Sequence, residues 1–442
     1  MVFFLAMTGV SAATSIGACG TTISTSGAYE LNTSMTTTTN CITIATNDVT
    51  LDCKGYAISF NSGGGNTNYA ISAVLNTILL NNITVKNCLI NDTNAAGTNG
   101  YGIAFTRVSN SYIFNNTIQT NGTGNNYGIF LNTACENNIV ENNTVKAYGT
   151  TTSNYGIYLV SDSSNNIIRG NMVNATSSTT GSAIQLITDS NYNLIINNSF
   201  TSIATVAVGT AGNPNPVTLT SCNYNNITNN TIYGQTAQSG YGVYITTDSK
   251  YNYIENNTIL MNVTASTTSG GIYLIRAPYT IIRGNRINAT GTGSIRAIMT
   301  SNAQYALIDN NILTINQPAA TTVDGINIAQ SPYTTIQNNT LIITALNTIN
   351  GMIINYADQS YVRNNSITIY NGSALSLTIN GIITTSNSLF LYSNRITLYG
   401  NNTINGILHS NANYGITENN TINVFATNNN NMGIYSNTGN YN

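Results

Sequence analysis

The sequence predicts an all-β solenoid, a parallel β-helix of about thirteen to fourteen coils with about 27 residues per coil. Three observations lead there. Close variants of Tyr253-Ile254-Glu255-Asn256-Asn257-Thr258-Ile259 return from about residue 110 to the end, mostly every 26 to 29 residues. The columns flanking the second Asn alternate apolar and polar over short stretches, and no stretch keeps a helical period. The second Asn itself never varies across the copies.

That anchor falls at Asn116, Asn143, Asn171, Asn198, Asn230, Asn257, Asn285, Asn311, Asn339, Asn365, Asn394 and Asn420. Two residues after it the chain is always apolar, as in Ile118, Phe200 and Leu313. Three residues before it the chain is apolar in every copy but the last, where Thr417 stands. A second block supplies another strand per repeat, as in Gly128-Ile129, Gly156-Ile157, Gly271-Ile272 and Gly381-Ile382. Strands this short are satisfied when each pairs with its equivalent one coil away, at a spacing of ~4.8 Å. Identical residues then stack as columns. A column of Asn passes amide N–H to amide carbonyl along the axis, which accounts for the anchors as a structural ladder without a ligand. A leucine-rich horseshoe needs Leu spacing and helices, and a propeller needs a longer repeat.

In chain order, residues 1–12 are apolar and end in small residues, with Val10 and Ala12 placed as a signal-peptidase site requires. The segment resembles an export signal, although it lacks a basic start. Residues 13–40 are expected to form an N-terminal cap over the open end of the coil, and residues 41–442 the repeats. Cys19 with Cys41, and Cys53 with Cys88, are each about one coil apart, which permits disulfides in an oxidising compartment. Cys135 and Cys222 share a column but stand three coils apart, ~14 Å at the strand spacing, too far to bridge. They read as buried thiols. The spacing swells to 32 between Asn198 and Asn230, where Gly209 to Pro216 reads as a protruding loop. The last strand, from Gly433-Ile434, is followed by no obvious cap, so either the sequence is a fragment of a longer chain or this end is expected to meet another subunit or domain.

The segment Cys41 to Ile58, with Val49-Thr50-Leu51-Asp52 and Gly55 followed by Asn-Asn-x-Ile repeats, resembles the opening coil of NosD-like right-handed β-helix proteins in the pectate-lyase-like superfamily. The resemblance covers roughly residues 40–442 and implies a right-handed helix. The superfamily it points to holds polysaccharide lyases, glycoside hydrolases, epimerases, sugar-binding surface proteins and a copper-maturation accessory. Neither the basic and acidic calcium site of its lyases nor the Gly-His-Gly and Arg-x-Lys motifs of its hydrolases are present.

Composition narrows the function classes. Only 6% of residues are charged and 77 of 442 are Asn, against roughly 25% charged in an average soluble domain. Twelve scattered basic residues offer no phosphate-tracking stripe, so nucleic acid is not an expected partner. No apolar stretch reaches the length of a membrane span. Eighteen Asn-x-Ser/Thr sequons occur, about half of them by-products of the ladder phrase. Two residues before the anchors, Glu141 and Arg169, then Glu255, Arg283 and Asp309, alternate in sign and read as a cross-strand charge ladder. Asp162 and Asp189 occupy matching turn positions, as turn-capping residues do. His409 has no partner cluster, and no metal or cofactor is expected.

What remains is an outward stripe. If the Ile of each Gly-Ile block points inward, the next residue points out, which gives Phe130, Tyr158, Tyr244 and Tyr273 along one face. Rings on a neutral, amide-rich surface suit sugars, and the same stripe suits packing against a C-terminal tail or a second subunit, or simply strengthens the stacking of the strands. The sequence therefore reads as a secreted or cell-surface protein, not an enzyme, that presents a rigid face for glycan binding, adhesion or envelope assembly. A carbohydrate-active lyase or hydrolase with an unrecognised site is the second class, and a subunit of an extracellular filament the third.

Overall fold

The computed structural model describes residues 12–60, 67–75, 78–93, 99–149, 153–177, 181–204, 215–237, 239–264, 268–318, 322–372, 378–401, 403–410, 415–426 and 431–437. Strands alone are found there, in three long parallel sheets of 16, 15 and 16 members and one short pairing of Leu80–Asn81 with Val108–Ser109. Sheet I collects the strands just before the anchors, such as Tyr253–Glu255. Sheet II collects those just after, such as Thr258–Val263, and sheet III the Gly-Ile strands, such as Ser269–Ile275. Each strand pairs with its equivalent one coil on, as Ile254 with Ile282, Ile259 with Ile287 and Ile272 with Ile298. This is the parallel solenoid that the period predicts.

One coil shows why coils must stack. Ile254, Ile259, Met261, Val263, Ile272 and Leu274 point inward and are 0 to 1% exposed. Burying such a side chain contributes ~1.5–3 kcal/mol, but a lone coil leaves both flanks wet, so burial is completed only by the neighbours. The Gly of the Gly-Ile block also faces inward. Pairing skips it, since Tyr127 meets Tyr155 and Ile129 meets Ile157. A Cβ on Gly128 would press on Val145 and come within 2.7 Å of the Gly156 carbonyl. Ala70, Ala183 and Ala297 fill the column in three other coils and Pro216 in a fourth, so the limit is size.

Residues 13–40 hold four strands, Thr14–Ile16, Thr21–Ile23, Gly27–Leu31 and Met35–Thr37, and these join the same three sheets. Disulfides link Cys19 to Cys41 and Cys53 to Cys88, with Cα atoms 4.2 and 4.7 Å apart. Cys135 and Cys222 are free and buried, and burial pushes their thiols up to about 11 and about 12. At neutral pH both stay protonated and poorly nucleophilic. The export-signal segment up to residue 11 and the loop over 209–214 lie outside the described residues.

Candidate functional site

The corner between sheets I and II carries the anchors. The amide of Asn257 donates to the Ile227 carbonyl of the preceding coil (2.8 Å) and to the Asn285 side-chain oxygen of the next (3.0 Å). Its own oxygen accepts from the backbone N–H and side-chain amide of Asn230, at 2.9 and 3.0 Å. The same amide-to-oxygen link runs unbroken from Asn116 to Asn420 at 2.9 to 3.0 Å. With its hydrogen-bonding capacity used internally, this column is scaffold.

A second ladder was not read from the sequence. Asn138, Asn166, Asn193, Asn225 and Asn252, five residues before their anchors, stack in the same way, each backbone N–H donating to the next side-chain oxygen at 2.9 Å. After Asn252 the column turns to Thr280, Ala306, Thr334 and Ser360. The repeated Asn at that offset was the available signal.

The outer side of sheet III carries the aromatic stripe. Register puts Phe130, Tyr158, Gln185, Thr218, Tyr244 and Tyr273 in one column, all but Thr218 half-buried. A second outward column, just before the Gly, adds Tyr101, Tyr127, Tyr155 and Tyr241. The two columns interlock, with Tyr127 edge-on to Tyr158 at 4.9 Å, Phe130 stacked on Tyr158 at 5.4 Å and Tyr241 tilted against Tyr273 at 4.8 Å. Burial, with the neighbouring Tyr69 adding, pushes the Tyr101 phenol up to about 12. It also raises Tyr127, Tyr158 and Tyr241, so these hydroxyls stay protonated and able to donate.

Further along the axis the column before the Gly turns polar. Asp324 is buried and accepts from Arg296 Nε (2.9 Å), Asn327 (2.9 Å) and Asn350 (2.8 Å), after which Asn380 donates to Asn350 and Asn405 to Asn380. Three donors hold this carboxylate in place. The sheet I charges pair as read: Arg169 forks onto Glu141 at 2.8 and 3.0 Å, and Arg283 bridges Glu255 and Asp309 at 3.6 and 3.1 Å. Burial opposes ionisation of Asp309, but hydrogen bonds from Asn338, Gln337 and Arg283 hold its carboxyl below the usual range. Asp162 and Asp189 occupy the same exposed turn at φ 62° and 59°. His409 points into the core, 3% exposed, with Nε2 3.2 Å from the Thr417 hydroxyl.

Residues 182–367 match the family described as right handed beta helix region, and residues 12–213 match that described as periplasmic copper-binding protein (NosD). The fold is a right-handed parallel β-helix. No curated protein matches it. Among solved structures, the β-helix resembles the Dettilon tailspike protein at 15% identity and TM-score 0.44, over 76% of this chain and 62% of that one. It thus spans less than two thirds of the tailspike. It also resembles the Streptococcus pneumoniae surface adhesin PfbA (9% identity, TM-score 0.33, 83% and 85% covered). A DFA-IIIase mutant from Arthrobacter chlorophenolicus A6 matches at 10% identity and TM-score 0.31, with 83% of each chain covered. The last corrects one expectation. An enzyme stands among the similar structures, so the β-helix cannot be read as a non-enzyme from its architecture, and neither class is assigned. The missing lyase and hydrolase motifs on which that expectation rested describe other sites, not this one.

Among the described residues, the free cysteines and the histidine do not assemble a copper site. Cys135 and Cys222 are three coils apart and donate to backbone carbonyls, and His409 lies buried many coils beyond them. Copper needs such groups side by side. Among the described residues no three of His, Cys, Asp or Glu converge. No helix there is long and apolar enough to cross a membrane.

Proposed function

We propose that this β-helix works outside the cytoplasm and binds saccharide chains along the outer face of sheet III, at Phe130, Tyr158, Tyr244 and Tyr273, in glycan binding, adhesion or envelope assembly. One observation carries the reading. Two interlocked aromatic clusters lie on one outward face, and in the column of Phe130 and Tyr273 only Gln185 and Thr218 separate them. Rings supply area for the apolar faces of sugars, while protonated Tyr hydroxyls and nearby amides address sugar hydroxyls. The two disulfides suit an oxidising compartment, as does the likeness to a periplasmic family.

The test is a glycan-array screen of the purified protein beside the Tyr158→Ala/Tyr244→Ala/Tyr273→Ala variant, with product release measured on every hit. Binding that is lost in a variant with an unchanged melting curve supports the reading. Binding that the variant retains, or none at all, overturns it. Product release would make the same face a catalytic one.

A further inference from the structure

A different corner, between sheets III and I, carries a feature that the fold does not require. Tyr192, Tyr224, Tyr251, Tyr279, Tyr305 and Tyr333 occupy one turn position in six successive coils, all left-handed at φ 56 to 59°. Their rings form a continuous stack, with centroids 4.7 to 4.9 Å apart and planes within 12° of parallel. Each remains 36 to 56% exposed. The same turn holds Asn110, Asn137 and Asn165 in earlier coils and Gln359 and Ser388 in later ones, at φ 51 to 58°. The turn can therefore be made without Tyr. A left-handed conformation costs roughly 1–2 kcal/mol in most L-residues and is easiest for Gly and Asn, while one ring pair contributes about 0.5–1.5 kcal/mol. The two nearly offset each other, so stability alone does not explain six rings.

Because the rings cover one another's faces, the row shows solvent its edges and phenolic hydroxyls. Ring edges carry the positive part of the quadrupole, and the hydroxyls donate. Beside the row runs an open groove of about 780 Å³, flanked by Tyr251 and Tyr279 and lined by Asp248, Lys250, Arg276 and Asn302. Lys250 and Arg276 are exposed and form no ion pair among the described residues, unlike Lys54, Lys86, Arg169, Arg283 and Arg296. Donors thus dominate the groove, and Asp248 is its one carboxylate.

We infer that this corner groove binds an extended saccharide chain bearing anionic groups, with Arg276 and Lys250 on the anions and the tyrosine hydroxyls and Asn302 on the sugar hydroxyls. The inference rests on the saccharide-binding reading but places a second site, on another face and with another selectivity. A carboxylate and a sulfate ester present the same chemistry to the groove, so both are tested. Asp248 opposes the ligand and limits its affinity.

The experiment measures binding of polygalacturonate, dextran sulfate and uncharged dextran to the whole protein by calorimetry at low and high salt. Binding of either charged polymer, weakened by salt and absent with dextran, is expected. Arg276→Gln with Lys250→Gln should weaken it by about tenfold or more, the scale of a lost charge-assisted hydrogen bond. Asp248→Asn should tighten it. Tyr251→Asn with Tyr279→Asn substitutes the residue found at this turn in Asn165, so the fold is kept while binding falls. Three results overturn the inference: no charged polymer binds, the Arg276 and Lys250 variant binds equally well, or the Tyr variants alter only self-association, which would make the row a contact between copies. The Tyr158, Tyr244 and Tyr273 variant should leave this binding intact, which separates failure here from failure of the sheet III site.

Discussion

Two corners of each coil make the same left-handed step and fill it differently. At the corner between sheets I and II, the residue before the anchor has φ 51 to 64°, and it is Asn in nine coils, Gly in two (Gly170, Gly284) and Ser393 in one. At the corner between sheets III and I, the position six before the anchor has φ 51 to 59° and changes from Asn to Tyr to Gln and Ser. The first corner takes residues that the backbone favours. The second accepts residues that it does not. A column fixed in both geometry and identity serves the backbone, whereas one fixed only in geometry leaves its side chain free for other work.

The largest expected effect breaks the first corner. Asn257→Leu orphans the Asn230 backbone N–H, one Asn230 amide hydrogen and the Ile227 carbonyl, all of them buried. At ~1–3 kcal/mol for each buried group left unpaired, the loss should reach roughly 3–6 kcal/mol in urea denaturation. A loss below about 1 kcal/mol would show that the ladder is ornamental.

Next comes a direct exchange. Asn256→Tyr places at the first corner, at φ 53°, the residue that the second corner tolerates, but with no ring above or below it to stack on. A loss of about 1–2 kcal/mol is expected. If stability is unchanged, the left-handed step carries no strain for Tyr and the contrast between the corners disappears.

This contrast also marks what the sequence made legible. The anchors, the sheet III stripe and the charge pairs of Glu141, Arg169, Glu255, Arg283 and Asp309 were legible because strands alternate, so a column offset states which way a side chain points. Turn columns give no such parity. The first Asn of each Asn-Asn doublet was visible, but its left-handed φ was not. Nor was the exposure of Tyr192 to Tyr333, although their common offset from the anchors could be counted. The ladder from Asn138 to Asn252 was hidden differently, because its neighbours vary and it stops halfway along the axis.

A third test moves inside, to a column that also changes identity. The inward residues of sheet III run Leu131, Leu159 and Leu186, and later Thr300, Ile328, Ile354, Thr384 and His409. Burial lowers the His409 pKa from its ordinary 6.5. The unfolded chain therefore takes up the proton first as pH falls, so the stability that depends on neutral His409 is present above about 6.5 and is lost toward the folded-state pKa. The hydrogen-exchange protection of the strand Thr403–Ser410, taken relative to the intrinsic rate at each pH, should fall between about pH 7 and pH 5, while that of Ser269–Ile275 should not. His409→Thr, matching Thr384, should remove the difference.

The smallest effect is the most discriminating. Tyr279→Asn loses two ring contacts, with Tyr251 at 4.7 Å and Tyr305 at 4.8 Å, and relieves one left-handed Tyr at φ 59°. Stacking and relief are each of the order of 1 kcal/mol and opposite in sign, so the net change in thermal unfolding should lie within about 1 kcal/mol of zero. A near-zero value beside the large loss for Asn257→Leu would mean that the tyrosine row is maintained by something other than folding. A loss above about 2 kcal/mol would place the rings with the anchors as scaffold, and the two corners would then differ only in which side chain does the stacking.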